Sequence, residues 1–403
     1  MTLDNLFDQD PAALRCPFGE YGQSREQGVH FSEKANAYLV TRYEQVVQIL
    51  RDDKTFSSSN TLGAPAPPEG SEMSKYLPYL LLSDNPEHAR RRSIVNRALT
   101  PSHVAHWEPL IRSTCAGMVD ALAGAKDVDF LPALAGPLPM AVILQVLGIP
   151  LEGATAIREW SDGLVFATVG VDVFSSDVIV SAGKPFAAYI SSLLDDAGGG
   201  QRDDILSVIA AAEANGELSR DDATRFVIDL MVAGNFTTTA YLASSMLMLA
   251  RNRGLAERLR ANPELISRFV DEMLRLEAPI QGFYRLTTVD CEIGGVPIPA
   301  GARLLVFPGS ANRDPAVWTN ADNIDLSRPN AASHLTFSRG SHACLGAPLV
   351  RLQAQLVLEM LLSRTENIEL TIDDVPYLPN AIFRLPLAIP LRITWKTNTV
   401  GEQ

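Results

Sequence analysis

One segment of this 403-residue chain holds residues whose types and spacing could do chemistry: Phe337-Ser338-Arg339-Gly340-Ser341-His342-Ala343-Cys344-Leu345-Gly346, running into an apolar helical pattern. A thiol at the start of a helix meets free backbone N–H groups and the positive end of the helix dipole, and both stabilise its thiolate. Such a sulfur can attack carbon or hold a metal. Gly340 permits a tight turn, and Gly346 removes a side chain where a flat ligand could approach. Attack on carbon needs a base in reach. His342 is two residues away, but no oxyanion or third-member pattern accompanies it. Taken alone, a cysteine before a helix also fits a buried structural thiol.

Other constellations stand upstream. Glu272 and Arg275 are three residues apart on one helical face and can pair; by itself such a pair reads as a solvated surface contact of small energetic weight. Arg328 follows in Asp325-Leu326-Ser327-Arg328-Pro329. His88 and Arg92 lie one turn apart in a basic helix, and Arg285 follows the Pro279–Tyr284 segment. Ala233-Gly234-Asn235-Phe236-Thr237-Thr238-Thr239 sits inside a long apolar helix, where small residues suit close packing.

These groups need a scaffold. Ser219 followed by Asp222 is an N-cap signature opening a helix over Asp221–Ala250. Apolar periodicity predicts further helices over Tyr43–Arg51, Pro86–Leu99, Pro263–Leu276 and Ala347–Ser363. Thr287–Phe307 alternates, with turn signals at Gly294-Gly295 and Pro299-Ala300-Gly301, and reads as small sheets. Leu370–Trp395 reads as hairpins. Ser57–Asn85 is a long Pro-, Gly- and Ser-rich loop of the kind used for binding, and Gly198–Gly200 reads as a linker. The class is mainly α (α+β), and with no interdomain linker the expectation is a single domain over 1–403.

Composition narrows the functions. Thirty-four basic against 47 acidic residues give a net charge of −13, which disfavours nucleic acid and anionic membranes as partners. The four cysteines, Cys16, Cys115, Cys291 and Cys344, form no CxxC pair, which argues against a disulfide framework or a zinc ribbon. Cys16, Cys115 and Cys291 are expected to be small buried apolar residues. No apolar run reaches membrane-spanning or signal length, so no membrane anchor is expected and the cytoplasm is the simplest location.

Phe-x-x-Gly-x-x-x-Cys-x-Gly resembles the haem-binding signature of the bacterial cytochrome P450 family, and the other constellations follow in that family's order. The resemblance implies the P450 fold and haem b (iron protoporphyrin IX) with Cys344 as the axial ligand. It puts Phe337 near the sulfur, Gly346 beside the ring, and His342, His88, Arg92 and Arg285 at the haem propionates. Glu272, Arg275 and Arg328 become a structural triad. Ala233, Gly234 and Thr237 become the oxygen groove, with Gly234 admitting dioxygen and the porphyrin to the backbone. Ser338 stands where relatives often have Gly. Phe236 stands where they usually have Asp or Glu, which puts the usual proton path in doubt; Asp229, two turns earlier, is a poor substitute.

The implied activity is that of a haem-thiolate monooxygenase, oxidising a hydrophobic small molecule with dioxygen. Substrate contacts fall on Leu80, Phe166, Phe236, Phe283 and Phe383. Electrons come from a separate ferredoxin or similar partner with its reductase, for which Arg90, Arg91, Arg339 and Arg351 offer a basic docking face. Phe236 keeps a second outcome open: oxidative coupling, desaturation or peroxide-driven oxidation. A haem gas sensor is a third reading, without a visible output domain.

Overall fold

The helix Arg220–Arg251 runs through the middle of the fold, packed by Pro137–Leu147, Ala154–Val169, Ser176–Ala197, Ile205–Ala214 and Ile266–Leu276. These are features of a computed structural model, which describes residues 3–59, 71–169, 176–197 and 204–397; of 166–169 and Ser176 only the backbone is described. The Ser219 hydroxyl accepts the Asp222 N–H at 3.1 Å and caps the central helix. Asp221 and Asp222 in its first turn and Arg251 in its last match the dipole. Its apolar residues lie on nearly every face because neighbours cover nearly every face. It is the one described helix long and apolar enough to cross a membrane, and 67% of that apolar window is buried inside the fold.

The β part is small. Five strands lie in the order His30–Ser32, Ala37–Val40, Arg303–Val306, Phe283–Thr287 and Phe56–Ser57. Only Ala37–Val40 and Arg303–Val306 run parallel. Cys291–Ile293 and Val296–Ile298 form a hairpin that turns at Gly294 and Gly295, both at positive φ. Thr365–Leu370 pairs with Pro390–Trp395, which also pairs with Asp127–Asp129.

Some expectations shift. The basic helix is Glu87–Asn96, and a new helix starts at Pro101 under the Thr100 cap. Within the 57–85 loop, Met73–Tyr76 is a 3-10 turn whose Tyr76 ring lies on Gly183; a Cβ there would stand 2.4 Å from its Cγ. The Gly198–Gly200 linker lies outside the described residues. Of the three cysteines expected to be buried, only Cys115 is. Cys16 is exposed at the end of helix Pro11–Arg15, and Cys291 is half-buried on its hairpin.

Candidate haem-thiolate site

The cysteine loop is shaped by backbone bonds. Cys344 N–H donates to the Phe337 carbonyl at 2.8 Å, and Ala343 N–H to Gly340 at 3.1 Å. Gly340 has φ +71°, and a Cβ there would stand 2.3 Å from the Leu50 carbonyl oxygen. Glycine is therefore required for both conformation and space. Gly346 caps the helix Ala347–Arg364. The N–H groups of Gly346 and Ala347 lie beside the Cys344 sulfur at the start of this helix. Burial pushes the thiol up, while those N–H groups, Arg92 and Arg351 pull it down. Cys344 nonetheless counts as exposed. Mid-helix Ala233 is exposed too, and Thr237 one turn on is half-open. Cys344, Ala233 and Thr237 thus keep accessible surface that a bound group can cover.

Four donors converge on the same loop. The rings of His88 and His342 stack at 3.8 Å and 24°. Arg92 Nη2 donates to the Ala343 carbonyl at 2.5 Å. Arg285 is buried, donates to its neighbour Tyr284 at 2.8 Å and covers Phe283 at 4.7 Å. Burial lowers Arg285 to about 10, with only Asp84 pulling it back. His342 falls to about 3 through burial, then His88 and Arg285, against Asp84. Burial also lowers His88, reinforced by Arg92. Asp84 is already engaged, accepting from the Ser57 and Ser59 hydroxyls and the Ser58 N–H.

This donor set fits a haem. Among the described residues no group of three His, Cys, Asp or Glu side chains could hold a bare metal ion. The single Cys344 thiol suits a metal that arrives with its other ligands. Two arginines and two neutral imidazoles beside one occupied carboxylate suit a second, dianionic end on the same ligand.

Behind the loop, Phe337 is half-buried between His334, at 5.4 Å, and the Arg351 guanidinium, at 4.7 Å. Arg351 also donates to Asp271 at 2.9 Å. Burial and three arginines hold His334 down at about 3. His334 and Asp271 escaped the sequence reading because no local spacing links them to Cys344. The expected docking arginines are likewise engaged. Arg90 bonds Glu87 and the Glu217 carbonyl, Arg91 covers Tyr79, and Arg339 donates to Ser333.

Glu272 and Arg275 are not a surface pair. Both side chains are fully buried, joined through two bonds of 2.8 and 3.0 Å. Arg328 Nε donates to Glu272 at 2.9 Å, and the Asp325 N–H adds a fourth bond to that carboxylate at 2.8 Å. Arg275 also holds the carbonyls of Asn312, Ala321 and Asn323.

On the central helix, Thr237 Oγ1 donates to the Ala233 carbonyl at 2.8 Å. A Cβ at Gly234 would meet Ile143 at 3.1 Å, so the missing side chain lets helix Pro137–Leu147 close on the central helix. Its missing side chain thus serves helix packing. Phe236 is buried with Val165, Ala240 and Leu385 and meets Phe383 edge-on. Phe283 belongs to another cluster, with Val40, Phe56 and Val306. Leu80 is half-buried against the helical core. The Phe166 side chain lies outside the described residues.

The cytochrome P450 family model matches residues 188–381. Nocardicin C N-oxygenase of Nocardia uniformis subsp. tsuyamanensis is 32% identical over 394 residues, covering 96% of this chain and 93% of that protein. Cytochrome P450 CYP109Q5 from Chondromyces apiculatus superposes with a TM-score of 0.87 at 32% identity, covering 96% and 98% of the two chains. CYP109E1 from Bacillus megaterium, solved with testosterone, gives 0.86 at 26% identity, covering 95% and 99%.

Proposed function

This chain belongs to the bacterial cytochrome P450 family, and from that premise we propose a soluble, cytoplasmic, single-domain haem b monooxygenase that oxidises a hydrophobic small molecule. Membership makes it a haem-dependent oxygenase, an oxidoreductase. The observation that supports the site assignment is the clustering of Arg92, Arg285, His88 and His342 on the loop that carries Cys344.

In this reading the Cys344 sulfur would hold the haem iron, with the Gly346 and Ala347 N–H groups beside it favouring the thiolate. Arg92, Arg285 and the neutral imidazoles of His88 and His342 would hold the propionates. The haem, when bound, supplies dioxygen activation at a thiolate-ligated iron. Thr237 donates its hydroxyl hydrogen to the Ala233 carbonyl, which leaves its oxygen lone pairs free to accept a hydrogen bond from a donor in the chamber. Leu80, Phe236 and Phe383 offer apolar surface that excludes water and orients the substrate. The electrons come from a separate ferredoxin-type partner with its reductase. Phe236 in place of an acid favours a second outcome on the same site: coupling, desaturation or peroxide-driven oxidation. Turnover with dioxygen and a redox partner, set against peroxide alone, separates the two.

The test of the central assignment is the carbon monoxide spectrum of the reduced protein. The expected result is a red-shifted thiolate-type Soret band that disappears in Cys344→Ala. A histidine-type band indifferent to that substitution overturns it.

A further inference from the structure

Asp229 is an anomaly in the central helix. Aspartate is a poor helix former, and a carboxylate among apolar residues is costly unless bonded. Here its Oδ2 accepts two backbone N–H groups from 150 and 149 residues away, Tyr79 at 2.6 Å and Leu80 at 2.7 Å. Arg225, one turn earlier, donates to the Leu77 carbonyl from Nε at 3.3 Å and Nη2 at 3.1 Å. From the other side Arg91 donates to the Tyr79 carbonyl at 2.8 Å, with its guanidinium 3.8 Å from the Tyr79 ring centre. Both arginines bind carbonyls, and among the described residues Asp229 alone accepts the Tyr79 and Leu80 N–H groups.

The strap is an irregular segment without strand partners, so side chains must satisfy its backbone. It ends at Leu80, one of the residues assigned to the substrate chamber. Asp229 stands one turn before Ala233 on the helix that also carries Thr237.

We propose that Asp229 is a positioning residue for the substrate chamber: its carboxylate docks Leu77–Leu80 on the central helix and so fixes where Leu80 stands. The chamber assignment of Leu80 rests on the function proposed above; the docking itself does not. The side chain needed is an acceptor of two N–H groups. Asparagine can supply an oxygen there and alanine cannot.

Amide hydrogen exchange on the haem-loaded protein at neutral pH reads the two donors directly. Asp229→Ala should speed exchange at Tyr79 and Leu80 by roughly tenfold or more, the scale of a lost charge-assisted bond. Amides of Ile266–Leu276 should stay unchanged and report an intact fold. Asp229→Asn should stay within about threefold of the parent. Carbon monoxide escape after photolysis should quicken in the alanine variant alone. Unchanged exchange in Asp229→Ala, or exchange in Asp229→Asn as fast as in Asp229→Ala, overturns the proposal. Exchange is measured without turnover, so this proposal and the reaction proposed above can fail separately.

Discussion

The rings of Phe236 and Phe383 meet edge-to-face, with centroids 5.2 Å apart and planes at 83°. Phe236 therefore joins the central helix to the C-terminal loop at the position where the family resemblance leads one to expect an acid. Replacing it with Asp would remove a buried aromatic and bury a carboxylate in an apolar cluster. Phe236→Asp is expected to cost about 3–5 kcal/mol of stability. It should give no gain in dioxygen-dependent turnover. Urea unfolding with assays beside the parent checks both, and a stable variant with improved turnover would mean that the site accepts an acid.

The Glu272–Arg275–Arg328 triad makes a sharper demand on stability. Glu272 accepts four bonds in full burial, so Glu272→Ala leaves two guanidinium groups without their anion. A loss of about 3–5 kcal/mol follows for breaking a buried pair. Arg275→Lys should fail nearly as badly, because one ammonium cannot replace a fork that holds Glu272 and three carbonyls. Soluble yield and the denaturant midpoint measure this, and a loss under about 1 kcal/mol would return the pair to surface-like weight.

Much of this was legible locally. The Ser219 cap and apolar run place the central helix within one residue of its ends, and the cysteine loop shows its turn and its helix. The Glu272–Arg275 spacing was visible, but its burial was not, since surface pairs use the same spacing. Contacts between distant segments were not legible. Glu277 pairs with Arg384 and Arg313, whose guanidinium groups cover Phe18, tying both chain ends to the sheet region. Asp229 reads as a failed proton donor in sequence because its partners Tyr79 and Leu80 are chosen by packing. Gly234 reads as part of a ligand groove in sequence, and only the fold reveals its packing neighbour Ile143.

Ser338 offers a gain rather than a loss. It holds φ +59° two residues before Gly340, and its hydroxyl is buried without a partner among the described residues. A left-handed conformation costs a residue with a Cβ about 1–2 kcal/mol, partly offset in Gly by unfolded-state entropy. Ser338→Gly is expected to add about 0.5–1 kcal/mol. Gly340→Ala should destabilise by more than that, since its Cβ runs into the Leu50 carbonyl. Denaturant midpoints of the pair test it, and two shifts in the same direction would contradict the conformational argument.

Asp229 carries a pH dependence whose sign can be worked out. Burial raises its carboxyl from 3.8 to about 7, against the Leu80 and Tyr79 N–H groups and the charges of Arg225 and Arg91. Asp222 and Arg90 complete the charged surroundings through Tyr79. The folded state thus holds this proton more tightly than the unfolded chain. The resulting stability is full below about pH 4 and is lost as pH rises through about 7. Asp229→Asn cannot ionise and should escape that loss. Relative to the parent, its unfolding free energy should rise from acid towards neutral pH and level off above about 7. Urea unfolding of both proteins across that range provides the measurement. Parallel curves would show that Asp229 titrates as an ordinary carboxyl, fully ionised in its strap.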